Sequence, residues 1–279
     1  MGIGAVVCAF FLPPIMVWIV MVLLAASAQL EFYALMKHKD MPSFKRTGTA
    51  VGIALISSTF LMHGPFARVS ETARIDEAVL ILGIIAVFAR QLCQKDKGRP
   101  IAAIGVTLLG ILYVPFLMNF ITRLAIEWDQ GESSLHLDRG SQILVFYAIA
   151  IIKLSDVGAY FTGRAFGRHK LSPRFSPNKT WEGLLGGIVF SLVASVGYCL
   201  FFKESLGVIP FPLKHAVILG IVLPLAGVMG DISESLLKRA SEVKDSSSLV
   251  PGVGGILDVL DSLLFGMPVF YLYVVFVLN

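Results

Sequence analysis

Apolar residues follow one another in runs along almost the whole chain, and short polar stretches separate these runs. Most runs are long enough for a helix that crosses the hydrocarbon core of a bilayer, which takes about 20 apolar residues. Eight runs predict convincing helices, and a short first run is broken by Pro13 and Pro14. The pattern predicts an all-α, polytopic membrane helix bundle with about eight to nine transmembrane helices. The nine runs cover approximately residues 2–12, 14–36, 48–64, 78–92, 101–122, 142–163, 183–202, 215–229 and 259–278.

The composition also indicates a lipid environment. Of the 279 residues, 56% are hydrophobic and 15% are charged, and the mean hydropathy is +0.79; a typical soluble domain is about a quarter charged. The net charge of +4 is small and concentrated in certain loops, which indicates membrane orientation and argues against nucleic-acid binding. Cys8, Cys93 and Cys199 are far apart, so neither a disulfide framework nor a zinc site is expected.

Basic residues are abundant in alternate loops. The loops at 37–46, 90–100 and 164–182 each carry at least four Lys or Arg residues, whereas the intervening loops carry two each. The intervening loop around 123–140 is net acidic. The positive-inside rule places the basic loops, together with the segment 230–258, on the cytoplasmic side. We therefore expect a multi-pass protein of the cell (inner) membrane whose polar site faces the cytoplasm.

The two halves of the chain differ in polarity. Residues 1–125 hold few polar groups within their apolar runs, whereas residues 150–262 are rich in them. We therefore expect N-terminal transmembrane helices over 1–125 and a C-terminal transmembrane region that carries the chemistry over 126–279, within one integral-membrane unit.

Polar residues interrupt the apolar run at 142–163. Lys153, Ser155 and Asp156 lie inside this predicted helix, where a charged side chain costs about 2.5–3.5 kcal/mol on insertion scales. Such residues usually face a polar cavity or a partner. The alternative is a purely structural ion pair, because Lys153 and Asp156 are three residues apart and share a helix face.

A glycine-rich and basic stretch follows at a cytoplasmic helix boundary. It contains Gly163 and Gly167 and then the sequence Ser176-Pro-Asn-Lys-Thr-Trp-Glu-Gly183, which includes Lys179. Glycines let backbone N–H groups approach an anion, and Lys or Arg supplies the opposite charge. Taken alone, the stretch also fits a solvated positive-inside loop.

The richest cluster of polar residues lies between 230 and 262. Asp231, Glu234, Ser235 and Lys238 share one face of a predicted helix, and Arg239 follows them. The remaining candidates are Lys244, Asp245, Gly254, Gly255, Asp258 and Asp261.

Asp258 and Asp261 are three residues apart at the start of the last apolar run. Paired carboxylates with oxygen-rich neighbours suit a hard divalent cation such as Mg²⁺. The preceding Gly254 and Gly255 could wrap a phosphate at the positive end of the helix. The alternative is that the two aspartates only stabilise the helix dipole. The clusters together favour a membrane-embedded site for phosphate chemistry on a lipid, which needs metal ions and cations more than covalent catalysis.

Two of these stretches resemble the motifs of a known family, the phosphatidate cytidylyltransferases (CDP-diacylglycerol synthases). One runs Ser235-Leu-Leu-Lys-Arg-x4-Lys244-Asp245 and continues as Pro251-Gly-x-Gly-Gly-x-x-Asp258-x-x-Asp261. The other joins Ser155-Asp-x-Gly-Ala-Tyr160 to the block Ser176–Gly183. Glu31 is also similar to a family feature. The match is dense over about residues 150–265 and looser before that.

The resemblance implies transfer of CMP from CTP to phosphatidate, which yields CDP-diacylglycerol and pyrophosphate. It implies Mg²⁺ on Asp231, Asp258 and Asp261, with a second cation beside it, and a catalytic role for Ser235 and Lys238. It implies a homodimer as a frequent state. The residues that it implies for substrate binding are Ser155, Asp156, Lys179, Arg239, Lys244, Asp245, Gly254 and Gly255.

This chain departs from the family pattern at two positions. Val253 stands where the family usually has His, and Val259 where it usually has Arg. Both changes remove a group that could contact phosphate. The carboxylates are all present, so we expect an active enzyme with altered phosphate contacts rather than an inactive homologue.

Three other classes of function fit the sequence less well. A related CTP-dependent lipid enzyme, such as a CDP-archaeol-type synthase or a polyprenol kinase, would share much of the chemistry, but the block Ser176–Gly183 favours the phosphatidate enzyme. A secondary transporter should show inverted repeats with matched polar breaks in both halves. Here the polar groups lie in one half. A structural scaffold would not need so many carboxylates within and beside its helices.

Overall fold

The eight long apolar runs of the sequence form helices. The computed structural model describes residues 14–63, 75–94, 98–126, 139–207, 209–242 and 254–278. The short first run at 2–12 and the acidic loop at 127–138 lie outside these residues. We number the helices in chain order as α1 (Pro14–Lys37), α2 (Lys45–His63), α3 (Ile75–Leu92), α4 (Pro100–Ile111), α5 (Leu117–Ile126), α6 (Arg139–Phe166), α7 (Trp181–Phe201), α8 (Leu213–Ala240) and α9 (Ile256–Tyr273).

Two of these helices continue through π-helical turns. Leu112–Phe116 joins α4 to α5 and contains Pro115, which cannot donate to the helical hydrogen-bond ladder. Val274–Leu278 extends α9. Because α4, the π-turn and α5 form one continuous helical segment, they correspond to the single apolar run predicted at 101–122.

Six of the described helical segments are long and apolar enough to cross a membrane, so the chain is a membrane protein. The segments are Ile15–Lys37, Pro100–Ile126, Gly140–Phe166, Trp181–Phe201, Leu213–Ala240 and Ile256–Leu278. The predicted all-α membrane fold is confirmed, whereas the predicted count of eight to nine transmembrane helices is not: the described residues hold six such segments. The other two helices fall outside this set: α2 begins with Lys45 and Arg46 and is rich in Gly, Ser and Thr, and the 18 residues of α3 include Asp76, Glu77 and Arg90.

Two short antiparallel hairpins add to the helices, and the sequence pattern did not predict them. β1 (Lys170–Ser172) pairs with β2 (Ser176–Thr180), so that Lys170 lies opposite Thr180. β3 (Ser205–Leu206) pairs with β4 (Ile209–Pro210). The first hairpin occupies the basic loop at 164–182 and leads directly into α7.

The chain folds into two compact units. The first contains Met1–Leu137 and Lys238–Val259, and the second contains Asp138–Leu237 and Leu260–Asn279. The last helix α9 therefore contributes its first turn to one unit and the rest to the other. The boundary expected at 125/126 remains a prediction about where the chemistry begins.

Buried polar side chains of the first unit are held by hydrogen bonds. Tyr33 Oη donates to the Thr107 carbonyl oxygen (3.0 Å), and Gln29 Nε2 donates to the Gly48 carbonyl oxygen (3.1 Å). Arg123 lies 2.9 Å from Asp76, and both side chains are largely buried. Pairing offsets the desolvation cost of such charges.

At the border of this unit, Lys39 forms an exposed ion pair with Glu242 and lowers the pKa of that carboxyl. An exposed pair of this kind contributes little to stability.

The second unit is built around Tyr147 and close helix contacts. Tyr147 is 1% exposed, and its hydroxyl lies 2.6 Å from Ser195 Oγ. A Cβ at Gly187 of α7 would lie 2.9 Å from the carbonyl oxygen of Ser155 in α6. Small residues of this kind let membrane helices approach closely without a polar cost. The polar residues of α6 are thereby held at a short distance from α7.

Gly230 brings α8 against α9, and replacing it tests this contact. A Cβ at this position would lie 2.2 Å from the carbonyl oxygen of Asp261, so Gly230→Ala must push the helices apart. We expect the variant to lose about 1–3 kcal/mol of unfolding free energy, measured by denaturant titration in detergent. Gly197→Ala is the control, because a Cβ there meets nothing within 4 Å and should be neutral or stabilising by about 0.5–1 kcal/mol. Equal stabilities for the two variants would contradict the close contact.

Candidate active site

Charged side chains from three helices of the second unit lie close together. Lys153 Nζ donates to Ser262 Oγ (2.7 Å) and lies 3.4 Å from Asp156 Oδ2. Ser262 Oγ also donates to Asp156 Oδ2 at 3.4 Å. The carboxylates of Asp156, Asp231 and Asp261 are near enough to repel one another, and Lys153 offsets part of that repulsion. The structural ion pair of α6 is thus part of a larger cluster.

Asp231 connects this cluster to the first hairpin. Lys179 on β2 lies 2.5 Å from Asp231 Oδ2, and both side chains are mostly buried. The second oxygen, Asp231 Oδ1, is buried and accepts no hydrogen bond from the described residues. An unsatisfied buried carboxylate oxygen is costly unless a ligand or ion completes it. Asp231 is therefore the residue in the cluster best suited to receive a cation.

The donor set fits a metal that takes some ligands from elsewhere. Among the described residues, no group of three or more His, Cys, Asp or Glu side chains is arranged to hold a metal ion. Mg²⁺ is usually bound by one or two carboxylates together with substrate phosphates and waters rather than by an all-protein cage. Asp231, with its unsatisfied oxygen, and Asp261 beside it meet that requirement.

A cavity of about 480 Å³ opens beside Asp231 in the second unit. Its walls combine the carboxylates of Asp156 and Asp231 with the cations of Lys179 and Arg164. Arg164 Nη1 donates to the hydroxyl of Tyr160, which also lines the cavity, at 3.1 Å. Polar uncharged residues, two glycines and apolar side chains complete the lining. The cavity is large enough for a small ligand, and its charges suit one that carries phosphate and a cation.

Gly163 and Gly183 lie where α6 and α7 approach each other, and both also line the cavity. A Cβ at Gly167 would lie 2.2 Å from the Gly163 carbonyl oxygen, and one at Gly183 would lie 3.0 Å from the Ala159 carbonyl oxygen. The Gly183 N–H is already taken by Thr180 Oγ1 (3.1 Å), which caps α7. Because its N–H group already has a partner, Gly183 gives no support to the expectation that these glycines bind an anion.

The hairpin is fastened to α7 by Glu182. Its carboxylate accepts hydrogen bonds from the backbone N–H groups of Arg168 (3.1 Å) and His169 (3.2 Å). His169 Nδ1 lies 2.6 Å from the same side chain. Thr180 and Glu182 therefore fix the strand that carries Lys179.

In the first unit, Asp258 has partners of its own. Lys238 Nζ lies 2.9 Å from Asp258 Oδ1, and the Gly255 N–H donates to Oδ2 at 2.7 Å. Gly254 has a φ of +100°, and a Cβ there would lie 2.4 Å from Asp258 Oδ2. The first turn of α9 thus requires glycine at 254 and uses Asp258 as a cap. The interpretation of Asp258 as a helix-stabilising carboxylate gains support.

The other predicted residues differ in burial, and some of them lie outside the described residues. Ser155 is buried against α7, Ser235 is half-buried on α8, and Arg239 is exposed at the end of that helix. Lys244 and Asp245, as well as Val253, lie outside the described residues. Val259 is half-buried in α9.

Three residues that were not assigned to the site lie beside assigned ones in the structure. Lys153 was expected to face a polar cavity or to pair with Asp156 but was given no role in the site, although its position inside an apolar helix was a signal. Ser262 follows Asp261 directly but has no distinguishing pattern. Glu31 accepts hydrogen bonds from the backbone of Ile256 and Leu257, a contact that no local spacing could reveal.

Comparison with known proteins agrees with the family resemblance of the motifs. Phosphatidate cytidylyltransferase of Bacillus subtilis is 35% identical over 194 residues, which are 70% of this chain and 64% of that protein. The Haemophilus influenzae protein of the same name is 43% identical over 135 residues (48% of this chain, 46% of that protein). The Pseudomonas aeruginosa protein of that name is 43% identical over 127 residues (46% and 45%).

The chain covers less than two thirds of the length of each of these relatives. A model of the family described as "Cytidylyltransferase family" matches residues 1–277 of the 279. The chain therefore belongs to the cytidylyltransferase family.

Proposed function

We propose that this protein transfers CMP from CTP to phosphatidate and so makes CDP-diacylglycerol and pyrophosphate. A phosphate oxygen of phosphatidate attacks the α-phosphorus of CTP. The bond from that phosphorus to the oxygen shared with the β-phosphorus breaks, and pyrophosphate leaves with the bonding electrons. The names of the relatives support this choice of substrates.

The observation that carries the proposal is the cavity in the second unit, with Lys179 and Asp231 on its wall. Phosphoryl and nucleotidyl transfer depend on positioning and on neutralising phosphate charge, with little covalent chemistry for the protein to do. Lys179 and Arg164 supply cations at the cavity, while Asp156 and Asp231 supply carboxylates. This combination is what a substrate with several phosphates and a bound cation requires.

The proposed roles follow from the contacts. Asp231 and Asp261 hold Mg²⁺, which when bound neutralises part of the phosphate charge, and a second cation is part of the proposal. Lys179 is drawn from Asp231 toward a phosphate when substrate binds. Lys153 and Ser262 keep Asp156 in place. Lys238, Arg239 and Lys244 are proposed to contact phosphates, and Ser155 and Ser235 to line the site.

The lipid substrate and the charge pattern together suggest where the enzyme works. Phosphatidate lies in the bilayer and CTP in the aqueous phase, so the site must be reached from both. The basic loops favour the cytoplasmic side of the cell membrane by the positive-inside rule. Assembly as a homodimer is part of the proposal and rests on the family resemblance alone.

The position of the radioactive label in CTP tests the reaction directly. Purified protein with phosphatidate, Mg²⁺ and CTP labelled at the α-phosphorus should transfer label to the lipid phase, with one pyrophosphate released per lipid. CTP labelled at the γ-phosphorus should leave the lipid unlabelled. Label from the γ-phosphorus in a lipid, with polyprenol as acceptor, would instead indicate a kinase. No labelled lipid with any acceptor would identify an inactive homologue.

Asparagine variants separate metal binding from helix capping. Asp231→Asn and Asp261→Asn should each lower turnover by about 100-fold or more, since a lost metal ligand removes several kcal/mol of charge stabilisation. Raised Mg²⁺ should recover part of that loss. Asp258→Asn should also lose activity but should recover least, because Mg²⁺ cannot replace its contact with Lys238.

The control for this series is Glu204→Gln, which changes an exposed carboxylate of the second unit. It should keep wild-type turnover. Near-normal turnover in Asp231→Asn and Asp261→Asn, with all variants folded, would remove these residues from the proposed metal site.

A further inference from the structure

Glu31 is a buried carboxylate in an otherwise apolar helix. It is 4% exposed, and α1 contains no other acidic residue. Its two oxygens accept hydrogen bonds from the backbone N–H groups of Ile256 (3.0 Å) and Leu257 (2.9 Å). These contacts join positions 225 and 226 residues apart in the chain. A carboxylate within an apolar segment is costly, so such a residue calls for a specific role.

The contacts fall on the part of a helix that favours an anion. The first N–H groups of a helix have no partner within it, and the helix dipole makes this end positive. At α9, Glu31 satisfies the N–H groups of Ile256 and Leu257, and Asp258 satisfies that of Gly255. Three successive N–H groups are thus held by two carboxylates, and all of these residues belong to the first unit.

This arrangement fixes the position of Asp258. Asp258 is the third residue of the helix that Glu31 holds, and its Oδ1 lies 2.9 Å from Lys238 Nζ at the end of α8. A shift of the first turn of α9 would move the carboxylate of Asp258 away from Lys238. Asp261 is three residues farther along the same helix. A side chain of α1 thereby sets the position of Asp258 within the first unit.

The same contacts change the expectation for phosphate binding. The sequence suggested that Gly254 and Gly255 wrap a phosphate at the positive end of α9. The N–H groups of Gly255, Ile256 and Leu257 are already taken by carboxylates, and the negative charge of Glu31 disfavours a second anion there. A phosphate would have to displace Glu31 or Asp258 to use them.

We infer that Glu31 is a positioning residue for the transfer reaction. It holds the first turn of α9 and so sets the position of Asp258, without contact to substrate. The inference rests on the proposed function for its effect on turnover. The hydrogen bonds from Ile256 and Leu257 to Glu31, which we call the clamp on α9, do not depend on that function.

Glu31→Gln tests both parts, because the amide keeps the size of the side chain but can accept for only one of the two N–H groups in the same geometry. Hydrogen exchange of peptides covering 254–260, measured by mass spectrometry on the full-length protein in detergent without nucleotide or metal, should be faster in this variant. The kcat for CDP-diacylglycerol synthesis should fall by about 10- to 100-fold, because a displaced Asp258 would also shift Lys238, which is proposed to contact phosphate, and small displacements of such groups cost rates of this size. The KM for CTP should change little, since Glu31 does not touch substrate.

Glu77→Gln is the matched control, because Glu77 is an exposed acidic residue in the first turn of α3 in the same unit. It should leave both exchange of 254–260 and kcat at wild-type values. Ile256→Pro tests the same contact at the donor. It removes one of the N–H groups from which Glu31 accepts a hydrogen bond but keeps Glu31 itself, and proline is tolerated at the first position of a helix. It should speed exchange at Leu257 and lower kcat.

The outcomes are distinct. Unchanged exchange in both Glu31→Gln and Ile256→Pro would overturn the clamp. Faster exchange with a normal kcat would overturn the positioning role and leave a structural contact. A fall in kcat that is matched by an equal rise in KM for CTP would instead assign Glu31 to substrate binding. An inactive wild-type protein would overturn the proposed function and with it the positioning role, while exchange would still decide the clamp.

Discussion

The cost of burying charge within apolar helices is the constraint on which the rest of this structure depends. Each helix that crosses a bilayer must either exclude charged groups or provide them with partners. In the second unit, Lys153 is paired with Asp156 and Ser262, and Lys179 with Asp231. In the first unit, Lys238 is paired with Asp258. The polar groups that suit the chemistry are therefore also the groups that hold the helices in register.

The aspartates differ in whether both carboxylate oxygens already have a partner. Asp258 uses one oxygen for Lys238 and the other for a backbone N–H. Asp231 uses one oxygen for Lys179, and its other oxygen is buried without a partner among the described residues. The two aspartates thus have different tasks in the proposal: Asp258 holds the beginning of α9 in place, and Asp231 remains open to a cation beside the cavity.

Helix positions could be predicted from the sequence because burial in lipid needs long apolar runs, and every such run within the described residues is helical. The number of transmembrane helices was less predictable. Apolar length favoured α2 and α3, but these two helices fall outside the six described segments that are long and apolar enough to cross a membrane.

Candidate residues such as Asp156, Lys179 and Asp231 were recognisable because charge in or beside an apolar helix is rare. Their partners were not, since contacts such as Glu31 with Ile256 depend on tertiary packing between distant segments. The glycines at 163 and 183 suggested phosphate binding; they allow α6 and α7 to approach and also line the cavity.

The central claim is that CTP binds in the cavity of the second unit and contacts Lys179. Modification of lysines by an amine-reactive acetylating reagent, quantified residue by residue by mass spectrometry, tests this claim most directly. Saturating CTP with Mg²⁺ should strongly reduce modification of Lys179, while the exposed Lys203 in the loop after α7 should be modified equally with and without nucleotide. Protection of Lys179 by CTP supports the account, and equal modification of Lys179 in the two conditions would contradict it.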